Sequence, residues 1–138
     1  SEAQKPEGAS IKHDVSVPVS AIPALIRRGG RLVEELIPGA RLCPFGHMGD
    51  GNIHFNVSRP VDMTDADFLA RWHEVATAVH DLVAELDGSF SAEHGVGRLK
   101  TGDLTRYRSE VEVGLMRAIK EVIDPAGIMS PGRVLSRD

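Results

Sequence analysis

Gly46-His47-Met48-Gly49-Asp50-Gly51-Asn52-Ile53-His54 reads as the tip of a β-hairpin. Asp50-Gly51 is a strong two-residue turn signal, because a type I′ turn needs positive φ at both central positions. With those two residues as the turn, Gly49 faces Asn52, Met48 faces Ile53 and His47 faces His54. Directly opposed side chains have Cβ atoms about 4.5–5.5 Å apart, close enough for two imidazoles to hold one ion. Asn56, two residues further on, points to the same face as His54. A second stretch, Ser91-Ala92-Glu93-His94-Gly95-Val96-Gly97-Arg98, offers Glu93 and His94 to complete a metal site built on that hairpin.

Working outward, residues 11–19 (IKHDVSVPV) alternate and are β-branched, which predicts a strand with Pro18 near its end. Ser20 is placed to cap a helix through about Leu36, carrying Ile22, Leu25, Ile26, Val33 and Leu36 on one face. Gly29-Gly30 in its middle predicts a kink or local break. Residues 40–46 and 52–58 are the hairpin arms. Thr64 and Asp67 open a helix whose stripe runs Phe68, Trp72, Val75, Val79, Leu82 and Leu86. Gly88 ends it, and 89–93 (SFSAE) reads as a short strand. The order β-α-β-β-α-β predicts an α+β fold, ferredoxin-like, with an antiparallel sheet and its helices on one face. Residues 95–108 show no sustained period. Ser109 and Glu112 form a capping box for a further helix bearing Val111, Leu115, Ile119 and Val122, which Asp124-Pro125 stops. A Pro- and Gly-containing tail follows, read as an ordered, wrapping coil.

The chain has 138 residues, 41% of them hydrophobic, enough for one compact core and short for two. Its net charge is −4 and its basic residues are scattered, which argues against a nucleic-acid partner. No apolar run approaches the 18 or so residues of a transmembrane helix. The polar first ten residues lack the apolar centre of a signal peptide, so a cytoplasmic location is expected. The single cysteine, Cys43, is expected to be a buried strand residue.

Three motifs in order, GHMGDGNIHFNV, SAEHGVGRLK and DPAGIMSPGRVL, together with the KHDVSVP strand, resemble the C-terminal part of FAD-linked D-2-hydroxyacid dehydrogenases. These are flavoenzymes of the vanillyl-alcohol-oxidase type, among them D-lactate and D-2-hydroxyglutarate dehydrogenases and the flavin subunit of glycolate oxidase. The resemblance covers nearly the whole chain, residues 1–138 as one substrate- and metal-binding domain, and implies a separate N-terminal FAD-binding domain. No G-x-G-x-x-G fingerprint is present here, and the hairpin glycines are explained by the turn. The chain is therefore expected to be a flavoenzyme's C-terminal part, inactive by itself.

What the resemblance implies residue by residue is specific. His47, His54 and Glu93 form a metal set with open positions, the mark of a catalytic site. Zinc suits those ligands best, with manganese and cobalt as alternatives. A small 2-hydroxyacid fills the open positions, with Lys12 and Asn56 as substrate contacts and His94 as the general base for the hydroxyl proton. The bend that this last role needs is supplied by Gly95 and Gly97. Ser1 matches a polar substrate contact. Ser130 and Arg133 match cofactor contacts, although Ser130 stands where family members often have Asn and Arg133 where they have Lys. The implied partners are the FAD-binding domain, an electron acceptor that could draw the protein to a membrane surface, and a second copy docked through uncovered apolar surface. Two rival readings use the same residues: a metal-dependent hydrolase, disfavoured by the absence of H-E-x-x-H, and a non-enzymatic ferredoxin-like module for ligand binding or oligomerisation. His73 and His80 flank the apolar stripe of their helix and are expected at the surface.

Overall fold

A computed structural model describes residues 6–136, which condense into two compact units, one up to Glu93 and one from His94 onward. The first contains β1 (Ser10–Ser16), α1 (Ile22–Leu36), β2 (Arg41–His47), β3 (Asn52–Ser58), α2 (Asp65–Ala70) and α3 (Trp72–Glu85). The three strands form an antiparallel sheet in the order β1-β3-β2. The fold is α+β, as the sequence predicts.

The alternation of β1 and β3 sorts the sheet into two faces. Ile11, His13 and Val15 pair with Val57, Phe55 and Ile53 and turn toward the helices. Ile11, Val15, Phe55 and Val57 are fully buried there with Leu25 and Val33 of α1 and Val75, Val79 and Val83 of α3. Each such side chain contributes on the order of 1.5–3 kcal/mol. Lys12, Asp14, His54 and Asn56 share the opposite, polar face, and β2 adds Cys43, Phe45 and His47 to it. Cys43 is exposed, contrary to expectation, because β2 is an edge strand and that face of it lies open.

The expected fourth strand is present only as an isolated bridge. Ser16 and Ser89 exchange backbone bonds of 3.0 and 2.8 Å along the free edge of β1, and Ala92 N–H reaches Asp14 O at 3.1 Å. Between them the Ser89 hydroxyl donates to Ser91 O at 2.9 Å, a local bond that bends the chain away from a regular ladder. With that bridge counted as fourth, the spatial order is 4-1-3-2.

The hairpin register also differs from the sequence reading. His47 pairs with Asn52 and Phe45 with His54, so a four-residue loop replaces the two-residue turn. Asp50 is not among the residues with positive φ, which rules out a type I′ turn. Instead Asp50 N–H bonds to His47 O, the Asp50 carboxylate accepts from Asn52 N–H at 3.1 Å, and Gly51 alone takes φ +79°. Gly51 is held there by Val17, whose N–H donates to Gly51 O; a Cβ at Gly51 would sit 2.0 Å from Val17 O.

Three helical details depart from expectation. A 3-10 turn (Val19–Ala21) precedes α1, so Ser20 makes no cap and Pro23 sits in the first turn instead. The predicted helix from Thr64 breaks at Arg71, whose guanidinium donates to Leu36 O at 2.6 Å and pairs with Glu74. That guanidinium holds the Glu74 carboxyl below its usual range. His80 is buried, T-stacked on His13 at 5.6 Å and beside Phe90, rather than at the surface. The Thr64 cap itself forms, its hydroxyl accepting from Asp67 N–H at 3.2 Å.

The second unit contains α4 (Thr101–Tyr107), a short helix inside the stretch without a clear period, and α5 (Glu110–Ile123). The capping box at Ser109 and Glu112 forms as expected.

Gly29-Gly30 does not break α1, which runs as one helix from Ile22 to Leu36. The Phe55 ring packs where a Gly29 Cβ would be, 2.5 Å from its Cζ, whereas nothing approaches Gly30 closer than 3.7 Å. Gly29→Ala is therefore expected to destabilise the chain, because the fully buried ring must move. Gly30→Ala should stabilise it by about 0.5–1 kcal/mol through helix propensity. Urea unfolding midpoints of the two variants check this; equal shifts would show that the ring does not set the difference.

Candidate functional site

The polar face of the sheet gathers most of the residues singled out from the sequence. His54, half-buried on β3, lies directly opposite Asp14 of β1. Its Nε2 is 3.2 Å from Glu93 Oε1 and its Nδ1 is 3.9 Å from Asp14 Oδ1. Glu93 reaches this place because the bridge segment runs beside β1, where Glu93 N–H donates to Asp14 Oδ2 at 2.9 Å. One donor atom from each of Asp14, His54 and Glu93 lies within 4.8 Å of the others.

Lys12 and Asn56 form the next cross-strand pair on the same face, Lys12 exposed and Asn56 buried. His47 is displaced from its expected position opposite His54 to the diagonal one, its ring centroid 6.3 Å away and nearly perpendicular. The shift is two residues, so His47 keeps its face. Phe45 takes the directly opposite place, its ring 5.1 Å from that of His54. His94, exposed, is the first residue of the second unit and follows Glu93 in the chain. Ser1 lies outside the described residues.

Asp14 is the residue that the sequence reading passed over. Its side chain is 3% exposed, yet it belongs to the polar face. The signal was available: alternation from Lys12 puts Asp14 on the Lys12 face, next to wherever His54 pairs.

In the second unit the tail is ordered by Asp124. This carboxylate pairs with Lys120 and accepts from Ile128 N–H at 3.0 Å and Met129 N–H at 2.9 Å. Lys120 also donates to Met129 O at 2.6 Å. Ser130 and Arg133 line a cavity of about 610 Å³ walled by Met116, Ile119, Ile123 and Met129. Ser130 has φ +44°, a left-handed conformation that Asn adopts more readily than Ser.

Residues 1–134 match the family model described as FAD linked oxidases, C-terminal domain, so the chain belongs to that family. Similar proteins include a D-2-hydroxyglutarate dehydrogenase of Xanthomonas citri pv. viticola, 42% identical over 89% of this chain and 26% of that protein. Another, of Stutzerimonas stutzeri, is 40% identical over 91% of this chain and 27% of its own length. A zebrafish (Danio rerio) relative named D-2-hydroxyglutarate dehydrogenase, mitochondrial, is 34% identical over 97% of this chain and 24% of its own. The chain thus spans about a quarter of the length of these relatives. Bacterial and mitochondrial proteins both match, so family membership fixes no compartment. Among the described residues no helix is long and apolar enough to cross a membrane.

Lys120 is the first cause of a lowered Asp124 pKa, and the Met129 and Ile128 amides add to it. A carboxylate whose pKa is depressed by folding stabilises the fold fully above its unfolded value of about 3.9 and loses that effect as pH falls through the folded value. The Ile128 and Met129 amide resonances should therefore titrate with a midpoint below that of an ordinary Asp, and this transition should vanish in Asp124→Asn. A midpoint at the ordinary value would show that the tail is not held by this charge.

Proposed function

We propose that this chain is the metal- and substrate-binding part of a flavin-dependent dehydrogenase that oxidises a D-2-hydroxyacid to the 2-oxoacid. The observation that carries the reading is the 3.2 Å approach of His54 Nε2 to Glu93 Oε1 on a sheet face that also bears Lys12 and Asn56. Two donors of a tetrahedral cation with bonds near 2.0–2.1 Å are about 3.3 Å apart, so the pair fits one zinc-sized ion. The exposed His47 stands on the same face, its ring 6.3 Å from that of His54, and is the third candidate ligand. A divalent cation there supplies Lewis acidity toward the substrate hydroxyl, and FAD supplies the hydride acceptor.

The chain's own residues do the rest. Lys12 places a positive charge for the substrate carboxylate, and Asn56 offers an amide to its oxygens. His94 takes the hydroxyl proton as general base. The names of the similar proteins favour D-2-hydroxyglutarate as the substrate. Ser130 and Arg133 contact the cofactor from the tail.

FAD itself is held by a domain outside these 138 residues. The apolar stripe of α5 supports such a partner: Leu115 and Ile119 are each 60% exposed and Val122 is 83% exposed. Contiguous apolar surface of this kind marks an interaction site. Without that partner the stripe promotes self-association, so the sedimentation coefficient should rise with concentration and a Leu115→Glu/Ile119→Glu variant should stay monomeric. Strictly monomeric behaviour of the unsubstituted chain would count against this surface.

The metal reading is tested by elemental mass spectrometry after zinc or manganese loading. Near-stoichiometric metal is expected, falling at least tenfold in His54→Ala and in Glu93→Gln. A chain that takes up neither ion overturns the reading.

A further inference from the structure

We infer that Phe90 is the positioning residue for Glu93: an aromatic anchor on the helix side of β1 that fixes where the carboxylate stands on the other side. The inference rests on the metal reading above and adds what holds one of its donors in place.

Glu93 ends a segment with little regular structure of its own. A single bridge joins Ser89 to Ser16, and two further bonds run from the Ala92 and Glu93 amides to Asp14. These bonds lie along the edge of β1 and set the level at which the segment ends. They leave open how far it leans over that edge. Of residues 89–93 only Phe90 is buried. Its ring lies against His80 of α3, centroids 5.9 Å apart, so it enters the layer between sheet and helices. Glu93 stands on the polar face, beside His54. The segment therefore clips over the free edge of β1, with Phe90 inside and Glu93 outside. Three residues of extended chain reach about 10 Å, so little slack separates the anchor from the carboxylate.

The anchor has a continuous support. His80 stacks edge-on with His13 at 5.6 Å, and His13 meets Phe55 edge-on at 6.1 Å. His13 Nδ1 also donates to Phe55 O at 2.7 Å. Four rings thus run from the bridge segment through α3 and β1 to β3, the strand that carries His54. Edge-to-face and tilted contacts of this kind fix the orientation of a ring as well as its depth. The start of the segment is fixed by close approach, since a Cβ at Gly88 would lie 2.3 Å from Ser16 O. Donors from different elements hold one ion only when their supports keep them within about 0.5 Å of the working geometry.

Cobalt(II) titration with chelator competition, run beside amide hydrogen exchange, tests this on the unsubstituted chain, Phe90→Ala and Phe90→Leu. In Phe90→Ala cobalt affinity is expected to fall about tenfold or more, with an altered visible spectrum. The Ala92 and Glu93 amides should lose protection there, while those of β3 and α1 keep theirs. Phe90→Leu, which refills the apolar space, should recover most of the affinity. Parental cobalt affinity in a folded Phe90→Ala overturns the inference and leaves the metal reading standing. So does a loss of protection spread evenly over the sheet, which would make Phe90 a core residue and nothing more. No cobalt binding by the unsubstituted chain overturns the metal reading and this inference with it. If Phe90→Ala fails to fold, exchange in the unsubstituted chain decides. The Ala92 and Glu93 amides should then be as protected as those of Ser16 and Ser89, and free-chain rates at these two amides overturn the inference.

Discussion

The antiparallel register of β1 against β3 is the constraint on which the rest of the first unit depends. Side chains alternate along a strand, so a slip of one residue would turn Ile11, Val15, Phe55 and Val57 out of the core and bring Lys12, Asp14, His54 and Asn56 into it. The hydrophobic cost of that exchange falls on every layer between the sheet and its two helices. The same register sets Asp14 opposite His54 and Lys12 opposite Asn56. Core and candidate site are thus two consequences of one pairing.

Two close approaches tie more distant parts to this sheet. The absence of a side chain at Gly29 lets the Phe55 ring seat against α1, and Gly51 lets the hairpin loop bond to Val17 just beyond β1. The bridge segment then closes along the free edge of β1, covering backbone groups that an edge strand would otherwise expose. Its end carries Glu93, so the bonds that protect the sheet edge also deliver a carboxylate to the polar face.

The second unit is organised by charge rather than by a large core. Asp124 gathers Lys120 and two tail amides around one buried carboxylate, and the capping box at Ser109 starts α5. The helix leaves most of its apolar stripe exposed.

The sequence alone determined what local chemistry decides: the α+β class, the three strand segments of the sheet, the caps at Thr64 and Ser109, the family, and the shared face of His47, His54 and Asn56. Face assignment survived the error in the hairpin loop because a two-residue and a four-residue loop differ in register by two, which preserves parity. Only the tertiary structure decided the rest. The four-residue loop depends on the Gly51–Val17 bond, a contact between segments distant in sequence. Burial of His80 follows from its stacking on His13 across α3 and β1, and the break at Arg71 from a bond to the end of α1. Alternation from Lys12 gives the face of Asp14, but its partners His54 and the Glu93 amide came only with the fold, because a residue's partners across a sheet are set by pairing and not by its neighbours in the chain.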